Sequence, residues 1–129
     1  MIVDSSAVLA VLFGEADARR YADAIAGAET CRISAASFLE AGVIVDSQAG
    51  AGAGRQLDAF IKRAGLVIEP VTADQAELAR QAYLDFGKGR HPPGLNYGDV
   101  FAYALAKAMG EPLLFKGSDF ARTDIEAAI

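Results

Sequence analysis

Four short apolar runs punctuate the chain, and helical periodicity fills the stretches between them. Ile2-Val3, Thr30-Cys31-Arg32-Ile33, Leu66-Val67-Ile68-Glu69-Pro70 and Leu113-Leu114-Phe115 are too short for helices and read as buried strands. After the first run, Asp4-Ser5-Ser6 offers capping oxygens to an apolar helix over 7–13, with Gly14 as its stop. A second helix is predicted over 15–26, where Tyr21 and Ile25 stand four residues apart. Ser34 caps a third, whose wide apolar face carries Phe38, Leu39, Val43 and Ile44. The glycine-alanine stretch 48–54 predicts a break, and Leu57, Phe60 and Ile61 mark a further helix beyond it. Thr72 caps a helix running to about Phe86, the loop 87–95 follows, and Asn96 opens a helix to about Met109. The tail 119–129 is predicted to add an edge strand or a helical turn.

Strands that alternate with helices define an α/β fold with a mostly parallel sheet covered on both faces. Right-handed crossovers would place every strand's C-terminal end along one edge, where ligand sites of such folds form. The length of 129 residues sets a single domain over 1–129, and 53% hydrophobic residues suffice for a core. The same apolar content points to a subunit interface. Against 17 acidic residues stand 12 basic ones, a formal charge of −5, so nucleic acid would not be held by bulk charge. Any positive field must be local, or come from a metal or a second subunit. The single cysteine, Cys31, excludes an internal disulfide framework. Met1-Ile2-Val3 shows no signal-peptide pattern and no apolar stretch reaches a membrane span, so a soluble cytoplasmic protein is expected.

Against this frame four acids stand out: Asp4, Glu40, Asp99 and Asp119. Asp4 directly follows the first strand, at a helix N-terminus whose dipole favours negative charge. Asp119 follows the last strand, in Lys116-Gly117-Ser118-Asp119-Phe120. Asp99 falls at the third helical position after Asn96, a capping-box spacing, and Glu40 interrupts an apolar helix, where an unpaired carboxylate is costly to bury. Each has a bland alternative as a cap, a turn residue or a solvated position. Gathered together, they would repel one another and raise their own pKa values, and a divalent cation relieves that repulsion. Such a cation lowers the pKa of a bound water and stabilises charge on a phosphoryl oxygen, so the cluster predicts metal-assisted phosphodiester hydrolysis. Ser6 and Ser118 are candidate auxiliary oxygens. Lys88, Arg90 and His91 form the densest basic stretch, able to hold phosphates beside Asp99, and Lys116 has similar standing. Ser6, Arg90 and Lys116 are therefore the substrate-binding candidates.

Four segments in register resemble one family. They are Ile2-Val3-Asp4-Ser5-Ser6-Ala7, Ile33-Ser34-Ala35-Ala36-Ser37-Phe38-Leu39-Glu40, Leu95-Asn96-Tyr97-Gly98-Asp99, and Leu113-Leu114-Phe115-Lys116-Gly117-Ser118-Asp119-Phe120. Together they resemble the PIN-domain ribonucleases, and among them the VapC toxins of bacterial type II toxin–antitoxin modules, over essentially the whole chain. The resemblance implies a PIN-like α/β/α sandwich and a Mg²⁺- or Mn²⁺-dependent endoribonuclease. It also implies a homodimer, inhibited by a VapB-type antitoxin whose C-terminal segment blocks the site. By the same resemblance Asp4 and Asp99 are the principal metal ligands, Glu40 is the third acid, which binds metal or positions water, and Asp119 is the fourth. Many relatives carry two adjacent acids in the last motif, and here the first of the pair is Ser118.

Other signals are weaker. The run Gly50-Ala51-Gly52-Ala53-Gly54 lacks the Lys-Ser/Thr of a phosphate-binding loop and follows no strand. Cys31 reads as core packing, and a single distant histidine, His91, argues against Cys-His or Ser-His-Asp catalysis. A haloacid-dehalogenase-like phosphatase would want an acid at Ser6, and a receiver domain an acid at Ser5. The remaining alternative is a non-catalytic RNA- or protein-binding module with a vestigial acidic pocket.

Overall fold

The computed structural model describes residues 1–89 and 94–129. In chain order the elements are β1 (Ile2–Val3), α1 (Ser5–Leu12), α2 (Ala18–Gly27), β2 (Cys31–Ser34), α3 (Ala35–Ala64), β3 (Leu66–Glu69), α4 (Ala73–Phe86), α5 (Asp99–Met109) and β4 (Leu113–Leu114). The four strands form one sheet in the order β3-β2-β1-β4, and every pairing is parallel.

Successive strand residues point to opposite faces, and the neighbouring strands β1 and β4 exploit this fully. Val3 and Leu114 join the core made with α1, α2 and α3. Ile2 and Leu113 join the core made with α4 and α5. All four are fully buried, so the sheet is the middle layer of an α/β/α sandwich with apolar packing on both sides. Tyr21 and Ile25 are the buried face of α2, as their spacing requires.

The break expected over 48–54 narrows to one residue. Only Gly50 leaves helical geometry within α3, at φ 79° and ψ −174°, a conformation that side chains beyond glycine rarely adopt. Alanine is the strongest helix former, and it alternates with the glycines here, which keeps the flanking turns helical. The tail adds a one-residue edge: Leu113 donates to the Glu126 carbonyl and Ala128 donates to the Leu113 carbonyl, both at 2.9 Å. Lys107 and Tyr103 on α5 fasten that tail through Asp124.

Candidate active site

Strand order reverses direction between β1 and β4, which makes the C-terminal ends of these two strands a topological switch point. Asp4 leaves β1 at this place, its N–H donating to the Leu114 carbonyl of β4 at 2.9 Å. It is also the N-cap of α1, with extended φ/ψ of −81° and 155°. Its Oδ2 accepts from the Ser6 N–H at 3.0 Å and from Ser6 Oγ at 2.5 Å. Its Oδ1 is buried without a hydrogen-bond partner. Burial pushes the carboxyl up to about 6, Glu40 adds repulsion in the same direction, and the Ser6 bonds oppose both.

Ser6 ties the two strand exits together. While its Oγ donates to Asp4, it accepts from the backbone N–H of Lys116 at 2.9 Å. The neighbouring Ser5 reaches the other way: its Oγ donates to Glu40 Oε1 at 2.5 Å. Glu40 is half-buried on the first turns of α3, and this hydroxyl offsets part of the cost of placing a carboxylate there.

Asp99 opens α5 through a reciprocal capping box. Asn96 Oδ1 accepts from the Asp99 N–H at 2.9 Å, and Asp99 Oδ2 accepts from the Asn96 N–H at 3.0 Å. Burial raises the Asp99 carboxyl to about 8. Asp119 adds to the rise, as a hydrogen-bond partner of the protonated form and as a like charge, and Asp4 adds repulsion, while the Asn96 N–H works against them. The sheet edge thus brings all four acids into electrostatic reach, in the sequence Glu40–Asp4–Asp99–Asp119. They form an open arc: among the described residues, no three His, Cys, Asp or Glu side chains converge closely enough to hold a metal ion by themselves. The expected cage of carboxylates is therefore looser than four converging ligands. The acids come from four separate places, the β1 exit, α3, the start of α5 and the segment after β4. Ser6 and Asn96 each engage one oxygen of Asp4 and Asp99 from within the same turn, and Ser5 holds Glu40 from across the site.

The other candidates divide. Ser6 lies inside the site, as described. The Lys116 ammonium is held by Asp17 at 2.8 Å and Glu15 at 3.1 Å, both in the segment joining α1 to α2. Ser118 is exposed, and Arg90 and His91 lie outside the described residues. Three positioning residues were not singled out from sequence as part of the site: Ser5, Asn96 as orienter of Asp99, and Gly98, whose α-face lies against the Glu40 carboxylate. The capping-box spacing signals Asn96. Nothing local signals Ser5 or Gly98, because their partner is on α3.

Comparison with known proteins shows the family and the fold. Residues 1–126 match the family model described as the PIN domain. Ribonuclease VapC28 of Mycobacterium tuberculosis is 54% identical over 130 residues, covering 100% of this chain and 98% of the relative. Ribonuclease VapC of Mycolicibacterium smegmatis is 48% identical over 127 residues, covering 98% of each. The chain belongs to the PIN-domain family, within its VapC branch. Solved structures share the fold: Mycobacterium tuberculosis VapC20, a sarcin-ricin loop cleaving toxin, superposes with a TM-score of 0.77 at 20% identity, covering 96% of this chain and 95% of that one. A toxin–antitoxin complex from Klebsiella pneumoniae gives 0.74 at 16% identity, covering 95% and 92%.

Proposed function

We propose that this chain is a VapC-type toxin, an endoribonuclease that hydrolyses RNA phosphodiester bonds with a bound Mg²⁺, Mn²⁺ being able to replace it. One observation carries the reading: the Asp4 carboxylate is buried at the switch point with one oxygen unpartnered, Glu40 presses negative charge upon it, and it in turn repels charge on Asp99. Such an oxygen suits a hard cation. Mg²⁺ keeps several waters and is commonly held by one or two carboxylates, so the open arc of acids fits it better than a closed cage would. Asp4 and Asp99 would hold the ion, with Asp119 beside Asp99. When bound, the ion supplies a more acidic water and a counter-charge for the phosphoryl oxygens.

The chain's own residues do the positioning. Ser6 and Asn96 each fix one carboxylate oxygen of Asp4 and Asp99 and leave the other for the site. Glu40, steadied by Ser5, is assigned to orient the attacking water and take its proton. Hydrolysis by water attack leaves 3′-hydroxyl and 5′-phosphate ends. Ser6, Arg90 and Lys116 are the proposed contacts to substrate.

A VapB-type antitoxin is the proposed partner. The Klebsiella pneumoniae structure is a toxin–antitoxin complex, and VapBC2 of Rickettsia felis was solved bound to a DNA fragment from its promoter. A homodimer is proposed from the apolar surface: Leu39, Val43 and Tyr97 are exposed, and a hollow of about 580 Å³ opens between α4 and α5. Among the described residues, no helix is long and apolar enough to cross a membrane. The proposed location is the cytoplasm.

Incubation of the purified protein with total RNA, with and without Mg²⁺, followed by mapping of the ends, tests the reading. Metal-dependent cuts with the stated ends, lost in Asp4→Asn and Asp99→Asn, are expected; full cleavage by either variant would refute it. The spacing of the acids favours one rival, a non-catalytic module with a vestigial pocket. That rival requires Mn²⁺ binding to be indifferent to Asp4.

A further inference from the structure

Gly98 has no backbone reason to be glycine. Its φ/ψ of −68° and −39° is ordinary right-handed helical geometry, in which alanine is the better residue. It lies in the first turn after the Asn96 cap, where no positive φ is called for. The constraint comes from across the site. A Cβ built on Gly98 would overlap Glu40 Oε2 and stand 2.8 Å from Glu40 Cδ and 3.1 Å from Oε1. The Glu40 carboxylate fills the space that any side chain at position 98 would need. Its other oxygen is fixed by Ser5 Oγ at 2.5 Å. Glu40 is thus clamped between the first residue of α1 and the bare backbone at the start of α5.

We propose that Gly98 is a positioning residue for Glu40: its missing side chain makes the slot in which Ser5 holds the Glu40 carboxylate beside Asp4 and Asp99. Only the catalytic consequence rests on the nuclease reading; the slot itself is a matter of packing. A methyl group at position 98 displaces Oε2 and crowds Cδ, so the carboxylate must turn or withdraw, which breaks its alignment with Ser5. Glu40 then leaves the reacting water while Asp4 and Asp99 keep their own local bonds. The expected signature is a loss in turnover with substrate affinity preserved.

The test combines kinetics with a denaturation cycle on the metal-free protein. Gly98→Ala should lower kcat at least tenfold on an RNA substrate and leave KM within twofold. In parallel, urea midpoints are measured for wild type, Gly98→Ala, Glu40→Ala and the double variant, in EDTA. With Glu40 present, the Gly98→Ala change should lower the midpoint. With Glu40→Ala the slot is empty, and the same change should raise it, as alanine does in any free helical turn. That reversal of sign reads the contact without reference to activity. A rise of equal size in both backgrounds would overturn the slot, and an unchanged kcat would overturn its role in catalysis. Should wild type cut no RNA while the midpoints still reverse, the nuclease reading fails and the slot stands.

Discussion

The buried acids make the metal-free protein less stable as pH rises, and Asp4→Asn should remove a defined part of that loss. The Asp4 carboxyl titrates at 3.8 when unperturbed and near 6 in the folded chain. Between those values the native state binds more protons than the unfolded state, so unfolding becomes easier as pH increases. The difference of about two pKa units corresponds to about 3 kcal/mol, absent below pH 4 and fully expressed above pH 6. Asp99, held near 8, extends the decline toward pH 8 in the same direction. For a domain of this size about 3 kcal/mol is roughly 10 °C in Tm.

Asparagine at position 4 keeps an oxygen for the two Ser6 bonds and removes the charge. Titrating groups distant from Asp4 cancel when the variant is compared with wild type at each pH, while Asp99, relieved of the Asp4 charge, loses part of its own rise in the same direction. In EDTA the two proteins should melt together near pH 4, and the variant should melt about 10 °C higher at pH 8. Added Mg²⁺ should raise the wild-type Tm at pH 8, by about 2.7 kcal/mol of stability at one hundred times Kd, and leave the variant nearly unmoved. A wild-type Tm that is flat or rising from pH 4 to 8 in EDTA would refute the argument. So would an Asp4→Asn variant that keeps the wild-type slope.

Three further outcomes follow from the bonds around the acids. Ser5→Ala removes the hydroxyl from Glu40 and should cost about 1 kcal/mol in urea unfolding, with a fall in kcat; an unshifted midpoint would mean the bond contributes nothing. Asn96→Ala removes the acceptor of the Asp99 N–H and should cost about 1 kcal/mol by the same measurement, and the loss should persist in an Asp99→Asn background. The carboxylates of Glu15 and Asp17 occupy Lys116, so the double change Glu15→Gln, Asp17→Asn should free its ammonium for phosphate and lower KM for RNA. An unchanged KM would mark Lys116 as a strut that holds the β4 exit against α1 through the Ser6 bond.

Local pattern made the fold readable. Ile2-Val3 and Leu113-Leu114 are too short for helices, and in a parallel sheet covered on both faces neither residue of a pair can be polar. The same logic located Asp4 and Asp119, since a residue that follows a strand in such a sheet must emerge at the C-terminal edge. The capping box of Asn96 and Asp99 was legible because its partners are three residues apart. The extent of the break near Gly50 was not, because composition marks a weak helix without saying which residue yields. Ser5 and Glu40 are separated by 35 positions, and Ser6 and Lys116 by 110. Contacts at such separations depend on how layers pack, and no periodicity encodes them. Gly98 is the sharpest case: the sequence shows a glycine where the backbone accepts any residue, and the reason is a carboxylate on another helix.

Capping and catalysis looked like competing explanations of Asp4 and Asp99, and the geometry removes the competition. A carboxylate has two oxygens, and a helix N-terminus needs only one. Asp4 gives Oδ2 to Ser6 and keeps Oδ1 buried and unpartnered; Asp99 gives Oδ2 to Asn96 while its carboxyl still meets Asp119. The cap locks the side chain's torsions, and that fixes where the second oxygen points. Local order is therefore the means by which the acids are held together against their mutual repulsion, a cost that repulsion alone would resolve by turning them outward. The consequence is specific to asparagine: it preserves the capped oxygen and abolishes the charge, so Asp→Asn at either position should leave helix content unchanged while it raises metal-free stability and abolishes cleavage. Alanine should instead lose the cap, at about 1 kcal/mol, along with the activity. Circular dichroism and Tm of the two substitutions side by side separate the functions of the two oxygens, and identical stability for Asn and Ala at position 4 would show that the cap does not hold the site.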